Sequence, residues 1–249
     1  MPTVRELTGP YAKFMLGPRL GRGVCGNCFN LTDDGYARCY ACAHCGSWLD
    51  IVAPISYSVA HEQLHHALAG YKRGRGEAAR RLGIELAAVL WRFLAEHEGC
   101  VARAAGTDAF QVVTTVPSGE RERDDRHPLR WIVGELVEPL RHRHQHLLRR
   151  SAIDVRARAF DGQKYEPLGA LNGQSVLLID DTWTTGANAQ SAGAALKRAG
   201  AGLVGAVVIG RHLNREWHEN DRRLRRISGP FDWAQCALCA GPGASDGAP

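Results

Sequence analysis

Asp180 and Asp181 stand side by side after the apolar run 175–179, and Thr182, Thr184, Thr185, Gly186, Ala187 and Asn188 follow directly. Two adjacent carboxylates repel each other unless donors or a cation satisfy them, and a vicinal diol offers two hydroxyl donors at matching spacing. A small, hydroxyl-rich turn that opens a helix turns free backbone N–H groups toward an anion. Acids for a diol beside amides for a phosphate describe a site for a ribose 5-phosphate.

A second constellation lies near the N-terminus. Cys25-x-x-Cys28 and Cys39-x-x-Cys42 form two chelating turns separated by a short loop. Four thiolates in tetrahedral array suit a structural zinc ion and leave no coordination position open for chemistry. Cys45 and the Cys236-x-x-Cys239 pair are alternative ligands. The latter pair can fold back to share the first metal or build a second site, whereas Cys100 reads as a buried thiol outside any site.

Other patterns imitate known chemistries. His61-Glu62-Gln63-Leu64-His65 matches the H-E-x-x-H of zinc peptidases, with Glu85 available as a third ligand. Gly21-x-Gly23-x-x-Gly26 satisfies a dinucleotide fingerprint but follows no strand, and residues 74–79 fit only a looser variant. The stretch 141–150 is basic and histidine-rich, and with Arg222, Arg223, Arg225 and Arg226 it offers a surface to nucleic acid or phosphate.

These residues need a scaffold. Residues 175–179 and 203–209 are apolar on both faces, as strands of a parallel sheet must be, and the stretch between them carries Ala189, Ala192, Gly193, Leu196 and Ala199 on one helical side. Further strands are expected at 51–57, 111–116 and, weakly, 153–160, with helices at 59–70, 77–98 and 129–140. The expected fold is α/β, built on a parallel sheet. A cysteine-rich zinc module (1–48) precedes this domain (49–228), and a tail (229–249) with the second C-x-x-C pair follows, its last residues disordered.

With 45% apolar and 23% charged residues the composition suits a globular protein, and the net charge of +5 suits an anionic ligand. The apolar runs are too short to span a bilayer and the N-terminus lacks a secretory pattern, so a cytoplasmic location without membrane partners is expected.

The segment "VLLIDDTWTTGAN" resembles the phosphoribosyl pyrophosphate (PRPP) signature of type I phosphoribosyltransferases. The cysteine cluster, "YKRGRGEAARRLG" and "VVTTVPSGERERDDRHPLR", in that order before it, resemble the ComF branch of that family, related to bacterial competence proteins. The resemblance implies a parallel sheet of about five strands with flanking helices, that Asp180 and Asp181 grip the ribose hydroxyls and assist catalysis, that Thr184 to Asn188 hold the 5-phosphate, and that Thr182 joins the PRPP site. It also implies that Lys72, Arg121 and Arg126 face pyrophosphate and that magnesium accompanies the ligand. Residues 118–126 would be a mobile shielding loop. Thr184 stands where purine-salvage members carry a carboxylate, which argues against a purine acceptor. The expected activity is transfer of phosphoribose to a nucleophile that the sequence does not identify. A non-catalytic PRPP-binding role in DNA uptake, and the peptidase suggested by His61 and His65, are the alternatives.

Overall fold

A computed structural model describes residues 2–33, 35–118, 127–227 and 229–240. The chain forms α1 (Val4–Thr8), α2 (Tyr40–His44), β1 (Ile51–Val59), α3 (Gln63–Arg73), α4 (Gly76–Ala105) and β2 (Val112–Thr115). It continues through α5 (Pro128–Trp131), a π turn (Ile132–Leu136), α6 (Glu138–Arg141), β3 (Leu148–Arg150) and β4 (Tyr165–Pro167). The last elements are β5 (Ser175–Trp183), α7 (Ala187–Arg198), β6 (Leu203–Leu213) and α8 (Asn220–Leu224).

The fold is α/β, with a parallel sheet in the order β1-β6-β5-β2. Register is set by Ile51 opposite Gly205, Ser175 opposite Leu203, and Val112 opposite Val176. Successive side chains of a strand point to opposite faces, and the apolar core divides accordingly. Leu177, Ile179, Val207 and Ile209 pack with α3 and α4, whereas Val176, Leu178, Val204, Ala206 and Val208 pack with α7. Each fully buried Leu or Ile in these layers contributes roughly 2 kcal/mol of transfer free energy.

The long helix α4 buries Leu86, Val89, Leu90, Phe93, Leu94, His97 and Val101, an apolar stripe at spacings of three and four. It runs seven residues past the expected end and stops at Gly106, whose φ of 88° closes a left-handed cap.

Four strands, rather than about five, make up the sheet among the described residues. The stretch 153–160 forms turns, with Ile153 exposed, because its scattered arginines leave it no continuous apolar face. An antiparallel pair, β3 with β4, lies to either side of it. At the free edge of β2 a single parallel bridge joins Val113 to His144: the Val113 N–H donates to the Arg143 carbonyl (3.0 Å) and the Gln145 N–H to the Val113 carbonyl (2.8 Å). The helix expected over 129–140 is broken into α5, the π turn and α6. Pro139 has no N–H to continue a ladder, which accounts for the break near Val137.

Candidate functional site

The segment between β5 and α7 builds a small open cleft, lined by Asp180, Thr182, Arg158 and the turn 184–189. It lies at the carboxyl end of a central strand, where parallel sheets collect ligands. The strand itself runs further than expected, through both acids to Trp183. That extension decides their roles.

Alternation along β5 sends Asp180 to the α7 face and Asp181 to the α3 face. Asp180 borders the cleft, and its Oδ1 accepts the backbone N–H of Asp181 at 2.9 Å. Burial, together with the neighbouring charge of Asp181, raises its carboxyl to about 7. Asp181 is 1% exposed. It pairs with Lys72 Nζ at 2.5 Å and accepts a short hydrogen bond from the Tyr71 hydroxyl. Burial alone would raise the Asp181 carboxyl, but Lys72, the His127 charge and the Tyr71 hydrogen bond together outweigh it and keep the group below its usual range. The two acids therefore do not form a common rim. Lys72, expected to face pyrophosphate, holds Asp181 across the α3 interface, its side chain one-third exposed.

The turn 184–189 is shaped by Gly186, which adopts φ 82° ahead of α7. The Thr185 hydroxyl accepts the Ala187 N–H (3.3 Å) and donates to the Arg158 carbonyl (3.2 Å). The other first-turn N–H groups of α7 have no acceptor within the helix and face the cleft side with the positive end of the dipole. Asn188 Oδ1 accepts Lys164 Nζ at 2.7 Å, which leaves the amide N–H₂ of Asn188 to donate elsewhere. Lys164 is only 3% exposed, and burial followed by the Arg150 charge lowers its pKa. Arg158 and Lys164 were not singled out from sequence. Neither lies in a motif, and the fold brings them to the turn from the loop between β3 and β4.

A Cβ at position 186 would overlap the buried indole of Trp183, and the left-handed φ disfavours any side chain there. Gly186→Ala should therefore cost about 2 to 3 kcal/mol, combining left-handed strain with overpacking. A urea titration reads this as a lowered midpoint at unchanged m-value; an unshifted midpoint would contradict the tight turn.

Cys25, Cys28, Cys39 and Cys42 lie together, all buried, in an arrangement that could hold a metal ion such as zinc. The Asn27 side-chain amide donates to Cys42 Sγ at 3.4 Å. Arg211, 3% exposed, donates to the Cys28 carbonyl (3.0 Å) and also to the carbonyls of Trp183 (3.1 Å) and Thr184 (3.0 Å). Its other terminal nitrogen lies 3.7 Å from Cys28 Sγ. Four thiolates around a divalent ion carry net negative charge, and a buried guanidinium offsets it. Arg211 thus joins the cysteine module to the cleft turn. Cys45 does not belong to the group.

Cys236 and Cys239 do not share that cluster. They gather with His97 and Cys100 in a second group that could hold a metal. Sharing is precluded by the sheet: Cys236 packs in the core layer of α4, and Cys25, Cys28, Cys39 and Cys42 in that of α7. The signal in the sequence was His97-x-x-Cys100, a spacing that puts both side chains on one helix face. Cys100, read as a lone buried thiol, belongs to this group.

The remaining motifs are engaged elsewhere. Helix α3 starts only at Gln63, so His61, at φ 66°, precedes it and the two imidazoles do not share a helical face. The His61 N–H donates to His65 Nδ1 (3.1 Å), and Glu62 accepts Arg215 Nε (3.0 Å). No group containing His61 and His65 is poised for metal among the described residues. In the basic stretch 141–150, Arg143 pairs with Glu98 at 2.6 Å. Arg222 and Arg225 pair with Glu219 and Asp221, and Arg223 donates to the carbonyls of Gly23 and Thr32. Arg121, Arg126 and most of the expected loop 118–126 lie outside the described residues, as does the end of the tail from 241 on. Among the described residues no helix is long and apolar enough to cross a membrane.

No described protein family, no curated protein and no solved structure matches the chain.

Proposed function

We propose that the cleft between β5 and α7 binds PRPP with magnesium, and that the protein is a phosphoribosyltransferase-like member of the ComF branch, acting in nucleotide metabolism. The observation that carries this reading is the convergence on one cleft of a carboxylate, Asp180, and a helix-opening turn backed by Arg158 and Lys164. The turn's amides and the Asn188 side chain suit the 5-phosphate. Asp180 suits the ribose diol, whose hydroxyls would relieve a carboxylate that burial and Asp181 disfavour. As the only acid lining the cleft among the described residues, Asp180 is also the residue placed to approach magnesium, which neutralises the pyrophosphate when bound.

In the transfer, the bond from C1 to the pyrophosphate oxygen breaks, a bond from C1 to the acceptor nucleophile forms, and the ring carbon gains positive charge between the two events. A carboxylate near the ribose favours that charge, while the turn fixes the sugar by its phosphate. Binding one phosphate by fixed amides leaves little covalent work for the chain.

The pairing of Lys72 with Asp181 favours a second reading, in which the same site binds PRPP without transferring it, in support of DNA uptake. Both groups are then absent from the chemistry. Titration calorimetry with PRPP and magnesium should give saturable heat under either reading; flat traces would remove both. Magnesium-dependent pyrophosphate release with a panel of bases and amines is expected for the transferase and absent for the binding protein.

A further inference from the structure

We infer that His97, Cys100, Cys236 and Cys239 hold a second zinc ion, which fastens the C-terminal segment 229–240 onto α4. The inference is independent of what the cleft binds. The four ligand atoms lie within 4.8 Å of one another. Cys236 and Cys239 sulfurs are 3.3 Å apart, and His97 Nδ1 is 3.8 Å from Cys239 Sγ and 3.9 Å from Cys100 Sγ. Ligands about 2.0 to 2.3 Å from a tetrahedral zinc are separated by edges of roughly 3.5 to 3.8 Å, so small side-chain adjustments bring these atoms to coordination distance.

The imidazole is set up for coordination. His97 Nε2 lies 2.8 Å from the Trp233 carbonyl, which can only accept, so Nε2 carries the proton and the lone pair of Nδ1 faces the thiols. The sulfurs also have donors around them. The Cys236 and Cys239 backbone N–H groups donate to each other's sulfurs at 3.2 and 3.4 Å, and Arg103 reaches Cys100 Sγ at 3.6 Å. Three thiolates and a zinc ion carry one net negative charge, which the Arg103 guanidinium offsets.

The segment has a need for such a tie. Residues 229–240 contain neither helix nor strand, yet they insert Phe231, Trp233 and Cys236 into the α4 core layer. Arg92 stacks over the Trp233 ring at 4.4 Å, and backbone bonds to the rest of the chain are few, one of them from Phe231 N–H to the Ala12 carbonyl. Ordering a dozen residues costs roughly 1 to 2 kcal/mol each, and coordination adds to what these contacts offset.

The test uses the full chain purified with zinc under reducing conditions. Elemental analysis should find two zinc ions per chain, falling to one in Cys236→Ser/Cys239→Ser. In the wild-type protein, alkylation of Cys239 by iodoacetamide should accelerate at least tenfold after chelation, with cleavage of 229–240 by protease before the sheet unfolds. With cobalt in place of zinc, His97→Gln should shift the visible ligand-field bands, which a purely packing role would leave unchanged. One zinc per wild-type chain with Cys239 equally reactive before and after chelation, or a Cys236–Cys239 disulfide in the native protein, would overturn the assignment.

Discussion

Asp180→Asn should weaken PRPP binding at least a hundredfold and at the same time make the protein more stable above pH 7. Loss of affinity follows from replacing a charged acceptor of two ribose hydroxyls, since charge-assisted hydrogen bonds contribute about 1.5 to 3 kcal/mol each. The gain in stability follows from the carboxyl itself. Its folded-state pKa is raised to about 7 by burial and by Asp181, so between the unfolded carboxylate range and pH 7 the folded protein binds more protons than the unfolded chain. Wild-type stability therefore declines as pH rises through that window, and the asparagine variant escapes the decline. Asp180 keeps some contact with solvent, so the gain is on the order of 2 kcal/mol rather than the full shift. Urea midpoints of the two proteins at pH 5 and pH 8 read it directly. A gap that is the same at both pH values would show that Asp180 is not the strained carboxylate described above. By the same linkage, PRPP binding near pH 7 should release protons from Asp180, detectable as a buffer-dependent calorimetric enthalpy.

Lys72→Met should destabilise the fold by about 3 kcal/mol and Lys72→Met/Asp181→Asn should recover most of that loss. Asp181 is 1% exposed and its counter-charge is Lys72 at 2.5 Å. Removing the lysine leaves a buried carboxylate without its nearest counter-charge, and a broken buried pair typically costs 3 to 5 kcal/mol. The lower figure applies because the Lys72 side chain is one-third exposed. Burial works against the ammonium, but Asp181 and then Asp180 outweigh it and raise its pKa, so the pair stays ionised at neutral pH. Asp181, held below its usual range, contributes stability above the unfolded carboxylate pKa that is lost as pH falls through the folded value. Denaturant titrations of the three variants form a double-mutant cycle. Strictly additive losses would mean that the two side chains act separately, and Lys72 would regain its place as a candidate for pyrophosphate. Asp181→Asn alone should spare PRPP binding, in contrast to Asp180→Asn.

Local pattern reached a good part of this molecule. The strands β5 and β6 were evident because both faces are apolar, and α7 because small residues recur on one side while glycine precedes it. The pairs Cys25-x-x-Cys28 and Cys39-x-x-Cys42 named their own cluster, since each turn brings two thiols together without help from the rest of the chain. Residues 184–188 fell where a strand-to-helix turn puts them.

What pattern could not supply was anything decided by the far side of the sheet. Asp180 and Asp181 are adjacent in sequence, but once β5 extends through them the pleat assigns each to a different face, and α3 claims the second through Tyr71 and Lys72. Arg158 and Lys164 come to the turn from a loop whose course no local rule dictates. Cys236 and Cys239 meet His97 and Cys100 across more than a hundred residues, while the sheet bars them from the N-terminal cysteines, which share their C-x-x-C spacing. Spacing along the chain determined which groups could chelate or cradle. Which of them share a site was settled by the faces of the sheet, because a pleated strand divides neighbours and packing unites residues that sequence keeps apart.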